Sequence, residues 1–483
     1  MPRKIPRLSL PITLLALPLA YFLYFFGLTG AGMVGPDEPR YASIGREMAR
    51  SGDWITPRLW GQPWFEKPAL LYWMTGAAFR MGWGPDLAPR LPVALLSVVF
   101  LAFYWWMLRR EFGCAAAWFA TLILATSGGW WAYSQSGVTD LPFSAAFGAA
   151  MLLALPWAAR RDQRLLPYAS FLLGLAVLAK GPAALVLAAP VALAWRDFRD
   201  LVRVRVALPF LLAALPWYLL CYLRNGAPFL KEFFWKHNFE RFTSGSLQHV
   251  QHWWYYVPAL ALLLLPWTAL APLAAIGARP LDRRRLYLLL WTLWPLVFFS
   301  ISVNKLAGYV LPLLPALAAL IALGLNQMRN SKPWLAVTAL LLAAYPIAAP
   351  LLAAAIERGL SRAPRPQFQP VWLAPVAVAA LVWFLDSRGR RLAAVACLAV
   401  SATVGMVCLK LEIGRMTLAR ELWNRISSNA GGVCIASLDH GWRYGLNYYS
   451  IAPLPDCSQN PKPLHVIQRP GRQPELAQAV DPR

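Results

Sequence analysis

The stretch Leu91-Pro-Val-Ala-Leu-Leu-Ser-Val-Val-Phe-Leu-Ala-Phe-Tyr-Trp-Trp-Met-Leu-Arg-Arg110 is an uninterrupted apolar run that ends in two arginines. Runs of roughly 17–25 apolar residues are long enough to cross a bilayer as a helix. Basic residues directly after such a run are typical of cytoplasmic loops, where Lys and Arg fix the orientation of a membrane protein. This pattern therefore predicts a membrane-spanning helix, and its repetition along the chain decides the fold class.

About thirteen such spans follow one another, and their lengths match the thickness of a bilayer. They lie near residues 8–28, 90–108, 114–132, 141–158, 166–179, 182–195, 206–222, 257–277, 286–303, 307–325, 333–354, 371–385 and 392–409. The chain is 58% hydrophobic and 14% charged, against roughly 45–50% and 25% in soluble domains. The sequence predicts an all-α polytopic membrane protein.

The net charge of +24 would suit a nucleic-acid-binding protein if the basic residues formed one stripe on a soluble face. They gather instead in short clusters between spans, such as Arg109-Arg110, Arg160-Arg161 and Arg283 to Arg285. That distribution indicates cytoplasmic loops and excludes a nucleic-acid partner.

The basic segment Met1–Arg7 precedes the first apolar run, which is long and lacks a cleavage site, so we predict a retained first span and a cytoplasmic N-terminus. The basic clusters then all face the cytoplasm. Arg358, Arg362 and Arg365 are the exception and fall on the outer side, which leaves the topology near 355–370 open.

Two long segments, about 30–86 and 224–256, fall on the outer side of the membrane. Both are rich in aromatic residues, and loops of this length are usually functional. The first contains Trp54, Trp60, Trp64, Trp73 and Trp83, whose indole rings suit helices lying in the membrane interface. We therefore predict periplasmic interfacial helices in the first loop.

The polar residues after Leu409 predict a separate small domain. Alternating apolar residues indicate strands at 433–438 and 464–468, with a helix or turn at 442–449. We therefore divide the chain into a transmembrane domain, 1–410, and a small α/β periplasmic domain, 411–483. Cys434 and Cys457 both fall in the latter, where an oxidising compartment permits a disulfide but two free thiols are equally compatible with the sequence.

Ionisable side chains concentrate on the outer face of the predicted topology. They are Asp37, Glu38, Arg40, Arg46, Glu47, Asp53, Glu66 and Lys67 in the first loop, and Asp140, Lys180 and Lys305 at span edges. Such groups are costly near a membrane and usually mark a site. A carboxylate can accept a proton from an attacking group, while cations stabilise a departing phosphate.

Each of these residues also has a purely structural interpretation. Asp37 and Glu38 can be favourable charges at a helix N-terminus, Lys67 and Lys180 can be anchors whose ammonium groups reach the interface, and Asp140 can cap a helix. Glu66 with His237, His249 and His252 can bind a metal, although their spacing matches no strong motif. Their convergence on one membrane face favours the functional interpretation.

Several motifs resemble bacterial GT-C glycosyltransferases, in particular the aminoarabinose transferases and the related protein-mannosyltransferase-like family. The resemblance covers about residues 10–325. It is carried by Asp37-Glu-Pro-Arg-Tyr-Ala42, Ser51-Gly-Asp-Trp-Ile55, Phe65-Glu-Lys-Pro68, Leu178-Ala-Lys-Gly181, the segment 229–242, and Phe299 to Pro312. Asn304-Lys-Leu-Ala-Gly-Tyr309 departs from the Lys-Leu-Pro-x-Tyr form common in relatives.

The resemblance implies a thirteen-span fold with an active site at the periplasmic surface and a polyprenyl-phosphate sugar donor. It implies that Asp37 is the catalytic base and Asp140 a second acid near the acceptor or sugar. It places the donor phosphate on Arg40, Lys67 and Tyr309, with Lys305 and Lys180 as further candidates. Glu66 and His237 resemble a structural metal pair, and Glu38 is left without a role.

The expected activity is inverting transfer of a sugar, such as 4-amino-4-deoxy-L-arabinose or a hexose such as mannose, from undecaprenyl phosphate to a periplasmic acceptor. The expected acceptor is lipid A, another glycan or a protein. We expect the enzyme to lie in the bacterial inner membrane and its chemistry to require no cofactor. The alternatives are a lipid or sugar transporter (a flippase) without transferase activity and a non-catalytic scaffold. A transporter predicts inverted repeats and a midplane site, and we find no repeat in the sequence.

Overall fold

The structure is a computed structural model, and it describes residues 9–194, 198–240, 250–358, 367–416, 418–470 and 472–478. Within these residues, eight helices are long and apolar enough to cross a membrane. Their bounds are Leu91–Phe112, Asp140–Arg160, Val204–Asn225, Arg283–Ile301, Ala307–Gln327, Lys332–Leu352, Pro370–Ser387 and, for the last, Arg391–Gly414.

Shorter helical segments occupy the remaining predicted spans. They are Ser9–Ala20 with the π-helical turn Tyr21–Phe25, Cys114–Ala125 with Gly128–Ser134, Leu166–Lys180, Ala183–Ala194, and a broken segment from Tyr256 to Gly277. The prediction of an all-α multi-pass membrane protein is therefore confirmed. Part of the unsettled stretch near 355–370, residues 359–366, lies outside the described residues.

The predicted span 257–277 is three short pieces rather than one helix. These are Tyr256–Leu264, Trp267–Leu270 and Leu273–Gly277. Pro266 and Pro272 stand between them, and proline lacks the N–H group that a continuous helix needs. The predicted extent of this span agrees with the structure, but the helix breaks at both prolines.

The helix Ala307–Gln327 lies at the centre of the bundle. Its side chains Leu311, Leu314 and Ile321 have no measurable exposure. On outer helices, large apolar side chains such as Val99 and Leu212, each 63% exposed, face away from the protein. Lipid is as apolar as these side chains, so membrane helices leave such faces uncovered and pack through small residues instead.

A glycine pair makes the closest helix contact in the bundle's centre. A Cβ atom added to Gly277 would lie 1.9 Å from the Leu320 carbonyl oxygen, and one added to Gly324 would lie 2.0 Å from the Leu273 carbonyl oxygen. Small residues of this kind let helix backbones approach within van der Waals contact. No larger side chain fits at either position without moving a helix.

The first outer loop folds into two helices joined by a small hairpin. The first-loop helices are Asp37–Ser51 and Leu70–Arg80, and the strands Arg58–Leu59 and Gln62–Pro63 pair antiparallel between them. Gly52 ends the first helix in the left-handed conformation, with φ of 73°, as is common at helix C-termini. The second outer loop contains Ala227–Leu230, the π-helix Lys231–Glu240 and the 3₁₀ turn Trp253–Tyr255, while residues 241–249 lie outside the described part.

The C-terminal unit, residues 418–478, contains the helices Ala419–Ile426 and His440–Tyr449 and a three-stranded sheet. Strand Val433–Ser437 pairs parallel with Leu464–Ile467, which pairs antiparallel with Glu475–Gln478. The small α/β appendage is confirmed, although the third strand was not predicted. Cys434 and Cys457 form a disulfide. The proposed boundary at residue 410 stays a prediction.

We expect the substitution Gly324→Ala to destabilise the protein by about 1–3 kcal/mol, because the added methyl group overpacks a backbone contact. Thermal unfolding of the purified protein in detergent measures the effect. Gly84→Ala is the matched control, since a Cβ atom at Gly84 meets nothing within 4 Å. Equal melting temperatures for the two variants would contradict the close approach of these helices.

Candidate active site

A buried ion pair fixes the first outer loop to the helix bundle. Glu38 is 1% exposed and Arg90 is 3% exposed. The Arg90 Nε and Nη2 atoms each donate to one carboxylate oxygen of Glu38, both at 2.7 Å. The backbone N–H of Gly137 donates to the same carboxylate at 2.9 Å. Glu38, which had no predicted role, thus links three segments that are distant in sequence.

The other N–H groups of Arg90 donate to backbone carbonyls in the segment that precedes the first-loop helix. Its guanidinium donates to the carbonyl oxygens of Leu28, Ala31 and Gly32 at 3.1, 2.7 and 2.9 Å. Both partners of the ion pair are therefore saturated with hydrogen bonds, which a buried charge requires. The sequence signal for this was Arg90 itself, a charged residue directly before an apolar span.

Asp37 begins the first-loop helix next to Glu38. Its side chain is 48% exposed and forms an ion pair with Arg40. Arg40 also reaches Glu66 Oε2 at 3.1 Å. Burial lowers the pKa of Arg40, but Glu66, Tyr41 and Asp37 outweigh it, so the pKa is raised and the guanidinium stays charged. The helix begins at Asp37, so its carboxylate also lies at a favourable helix N-terminus.

Three aromatic rings surround Arg40. The guanidinium carbon lies 5.4 Å from the ring centres of Tyr41, Trp64 and Tyr444. Distances below about 6 Å allow cation–π attraction. Tyr444 belongs to the C-terminal unit, so that unit completes the surroundings of a residue in the first loop.

Glu66 connects Arg40 to Lys67. Glu66 is 8% exposed and its Oε1 atom lies 3.4 Å from the Lys67 ammonium. The Tyr41 hydroxyl donates to the same oxygen at 3.5 Å. Burial, followed by the charges of Glu66 and Asp37, raises the pKa of Tyr41 well above its usual range, so it remains a donor. Lys67 is paired and only 12% exposed, which argues against an anchor reaching the interface.

Asp140 forms a second pair on the same side of the protein. It is the first residue of the helix Asp140–Arg160, and its carboxylate lies 2.6 Å from the Lys180 ammonium. The N-cap position belongs to Thr139, so Asp140 does not cap the helix. The Lys180 ammonium lies 4.9 Å from the ring centre of Tyr309.

Gly308 packs directly against Asp140. An added Cβ atom there would lie 2.3 Å from Asp140 Oδ1 and 2.7 Å from the Tyr133 hydroxyl. Tyr133, which the sequence did not single out, also lies within electrostatic range of both Asp37 and Asp140. The glycine in the divergent stretch Asn304–Tyr309 therefore makes room for the Asp140 carboxylate.

A cavity of about 390 Å³ joins these groups. Five predicted residues line it, namely Glu66, Lys67, Lys180, His237 and Tyr309. The rest of the lining is mostly apolar and includes Phe143, Val186, Phe234, Phe298 and Phe299. The cavity thus combines two lysines and one glutamate with a mostly apolar lining.

Four predicted residues do not line this cavity. Asp37, Arg40 and Asp140 connect to it through the Arg40–Glu66 and Asp140–Lys180 pairs. Lys305 is 4% exposed, and its ammonium donates to the backbone carbonyls of Gln251 and Ser302. Lys305 therefore holds two loops together in this structure.

Two sets of residues are candidates for metal binding. Glu66 and His237 line the same cavity and would supply two of the four ligands that zinc usually takes. Within the described ranges, the ligand atoms of Cys434, Cys457 and His465 also lie within 4.8 Å of one another. Both cysteines are in the disulfide, so they offer no thiolate to a metal.

We expect Glu38→Gln to destabilise the protein by about 3–5 kcal/mol, because it leaves the Arg90 charge buried without its counter-ion. The free energy of unfolding, or the melting temperature in detergent, measures the loss. Glu47→Gln, in the same helix, is the control, because Glu47 is only partly buried and accepts from Gly61 at the surface. An equally stable Glu38→Gln variant would show that the pair does not hold the loop.

Comparisons with known proteins agree with this architecture. The family described as dolichyl-phosphate-mannose-protein mannosyltransferase matches residues 66–222. The crystal structure of ArnT from Cupriavidus metallidurans bound to undecaprenyl phosphate superposes with a TM-score of 0.75 and 24% identity, covering 96% of this chain and 97% of that one. The chain is a multi-pass membrane protein with the GT-C fold, and the resemblance inferred from its motifs is confirmed.

Curated relatives are similar over part of their length. The undecaprenyl phosphate-alpha-4-amino-4-deoxy-L-arabinose arabinosyl transferase of Pectobacterium atrosepticum is 34% identical over 318 residues, 62% of this chain and 56% of that protein. The protein of the same name from Pseudomonas aeruginosa is 34% identical over 328 residues, 63% of this chain and 58% of its own length. The chain thus spans less than two thirds of these relatives.

Proposed function

We propose that this protein is an inverting glycosyltransferase that moves a sugar from a polyprenyl-phosphate donor to an acceptor at the periplasmic surface of the bacterial inner membrane. The observation that carries the proposal is a cavity lined by Lys67 and Lys180 together with four phenylalanine side chains. A phosphate attached to a prenyl chain has an anionic head, which suits the lysines, and an apolar body, which suits the phenylalanine side chains. The donor phosphate then lies on the two lysines and the prenyl chain on the apolar wall.

The charges fit a single displacement at the sugar's anomeric carbon. A hydroxyl, amine or phosphate oxygen of the acceptor attacks that carbon and forms the new bond while the carbon–oxygen bond to the donor phosphate breaks. Asp37 accepts the proton of a protonated acceptor group. The departing phosphate keeps the bonding electrons, and Lys67 and Lys180 stabilise its charge.

Other residues position these groups. Arg40 pairs with both Asp37 and Glu66, so it couples the base to the lysine that meets the phosphate. Asp140 holds Lys180, and Tyr309 packs beside the Lys180 ammonium. Lys305, bound to backbone carbonyls, keeps a supporting role in this mechanism.

The names of the relatives support a choice of donor sugar to test first. Those named above are arabinosyl transferases of undecaprenyl phosphate-4-amino-4-deoxy-L-arabinose, so this aminosugar is the first donor to test, with a hexose such as mannose as the second. The acceptors to test are lipid A, other periplasmic glycans and proteins. A structural divalent metal on Glu66 and His237 would need further ligands, and no step of the mechanism depends on it.

We expect Asp37→Asn to reduce the rate of transfer about 10²–10⁴-fold, the usual contribution of a general base. The measurement is single-turnover transfer from undecaprenyl-phosphate sugars to purified acceptors by the full chain in proteoliposomes. Asp53→Asn is the matched control in the same loop, because its ion pairs with the partly exposed Arg58 and Arg224 contribute little and the asparagine oxygen can still accept from the backbone N–H groups of Ile55 and Thr56.

Full activity of the Asp37→Asn variant would remove Asp37 as the base. The same proteoliposomes also test the flippase alternative. Movement of the sugar lipid across the bilayer without transfer to any acceptor would overturn the transferase proposal.

We expect Lys67→Ala to lower kcat/KM for the donor about 10–100-fold, since hydrogen bonds to charged groups contribute roughly 1.5–3 kcal/mol. The KM for the acceptor should stay unchanged. Initial rates at varied donor and varied acceptor concentrations separate the two effects, with Lys462→Ala in the C-terminal unit as the control. Unchanged donor kinetics would exclude Lys67 from the phosphate site.

A further inference from the structure

A second and larger pocket, about 630 Å³, lies between the first-loop helices and the C-terminal unit. It shares no lining residue with the cavity described above. Four arginines contribute to its walls, Arg46, Arg50, Arg80 and Arg420, together with a single acid, Asp86. This pocket therefore has a strong excess of positive charge that the proposed transfer mechanism does not use.

Asp86 is already fully engaged. Arg420 donates to its Oδ2 atom at 3.0 Å, and the Tyr449 hydroxyl donates to its Oδ1 atom at 2.6 Å. Arg420 also donates to the carbonyl oxygens of Thr29 and Gly30, at 2.8 and 2.6 Å. These groups join the C-terminal unit to the first loop, and they leave no carboxylate of the pocket lining for the other three arginines.

Arg46, Arg50 and Arg80 carry the uncompensated charge. Arg46 and Arg50 lie one turn apart on the first-loop helix, where like charges repel. Arg46 donates to the Tyr448 carbonyl oxygen at 2.8 Å, and Arg80 uses only its Nε atom, on the Ala49 carbonyl at 3.2 Å. Among the residues that the structure describes, no carboxylate forms an ion pair with any of the three.

The protein holds these charges together at a cost. Arg46 is 8% exposed. Burial lowers the pKa of Arg46 and the neighbouring Arg50 adds to that effect, while Tyr448 and Glu47 oppose it only in part. An anion bound in the pocket would relieve the repulsion, because guanidinium groups pair with phosphate through several parallel hydrogen bonds.

We propose that this pocket binds a phosphate monoester group, the headgroup of an amphiphilic molecule. Trp83 and Trp423 contribute to its walls, and Met81 beside it is 61% exposed. Tryptophan is enriched where proteins meet lipid headgroups. The arginines contact the phosphate, and the aromatic side chains contact the part of the molecule that joins the phosphate to its apolar chains.

The pocket is too far from Asp37 to hold the reacting group. Arg46 and Arg50 follow Asp37 by nine and thirteen residues on one helix, which corresponds to about 14 and 20 Å along its axis. The bound phosphate is therefore an anchor that orients a large acceptor whose other end reaches Asp37. This role rests on the proposed transferase function, whereas binding of the phosphate does not.

Isothermal titration calorimetry of the full chain in detergent tests the pocket directly. The probes are dioctanoyl phosphatidic acid, which carries a phosphate monoester, inorganic phosphate, and dioctanoyl phosphatidylcholine as the lipid without a monoester. All proteins carry Lys67→Ala to weaken phosphate binding in the other cavity. The test variant is Arg50→Gln with Arg80→Gln, and the control is Arg425→Gln with Arg472→Gln, which removes two exposed charges from the C-terminal unit.

We expect the test variant to bind phosphatidic acid about tenfold more weakly or worse, with the control unchanged and phosphatidylcholine not bound specifically. Binding of phosphatidic acid alone identifies a lipid headgroup as the source, and binding of inorganic phosphate as well shows that the phosphate suffices. Equal affinity in the test and control variants would overturn the proposal. Because no donor is present, this result is independent of whether the chain transfers sugar.

Discussion

The paired charges of Glu38 and Arg90 hold the outer loop to the membrane bundle. Two charges removed from water are costly unless their geometry and remaining hydrogen bonds are nearly ideal. Both conditions are met, because the guanidinium binds both carboxylate oxygens at 2.7 Å and three backbone carbonyls, while the carboxylate also accepts from Gly137. Asp37 is the neighbour of Glu38 in the chain, so this pair also sets the position of the candidate base.

From that fixed point, charges of alternating sign lead to the cavity. Asp37, Arg40, Glu66 and Lys67 form one series, and Asp140 with Lys180 forms another. Apart from Asp37, these side chains are at most 19% exposed, so their mutual attraction is screened less than at a surface. Donors held in place before the reaction cost no reorganisation when charge develops on a leaving phosphate. In this arrangement each acidic side chain forms an ion pair with a basic one instead of lying unpaired at the membrane.

The C-terminal unit belongs functionally with the first loop. Tyr444 packs on Arg40 beside the cavity residue Glu66, while Arg46 donates to the Tyr448 carbonyl beside the arginine pocket. One helix, Asp37–Ser51, thus carries Arg40, which pairs with the cavity residue Glu66, in its first turn and lines the arginine pocket with its last turns. Because a helix is rigid over this length, it fixes the distance between Asp37 and the arginine pocket.

The sequence by itself determined the spans, since the length of an apolar run is a local property that directly reflects bilayer thickness. It also singled out the charged side chains that line the cavity, together with His237 and Tyr309, although their functional roles stay predictions. It did not reveal the structural role of Glu38, whose partners Arg90 and Gly137 are 52 and 99 residues away. It also missed the short strand Glu475–Gln478 and left the Cys434–Cys457 pairing open.

Only the tertiary structure decided these points. It separated Lys305, which binds backbone carbonyls, from the lysines of the cavity. It also showed that Gly308 makes room for Asp140. Ion pairs, disulfides and close contacts between distant segments depend on which surfaces pack together when the chain folds. A local pattern of residues does not predict which distant segments will be in contact.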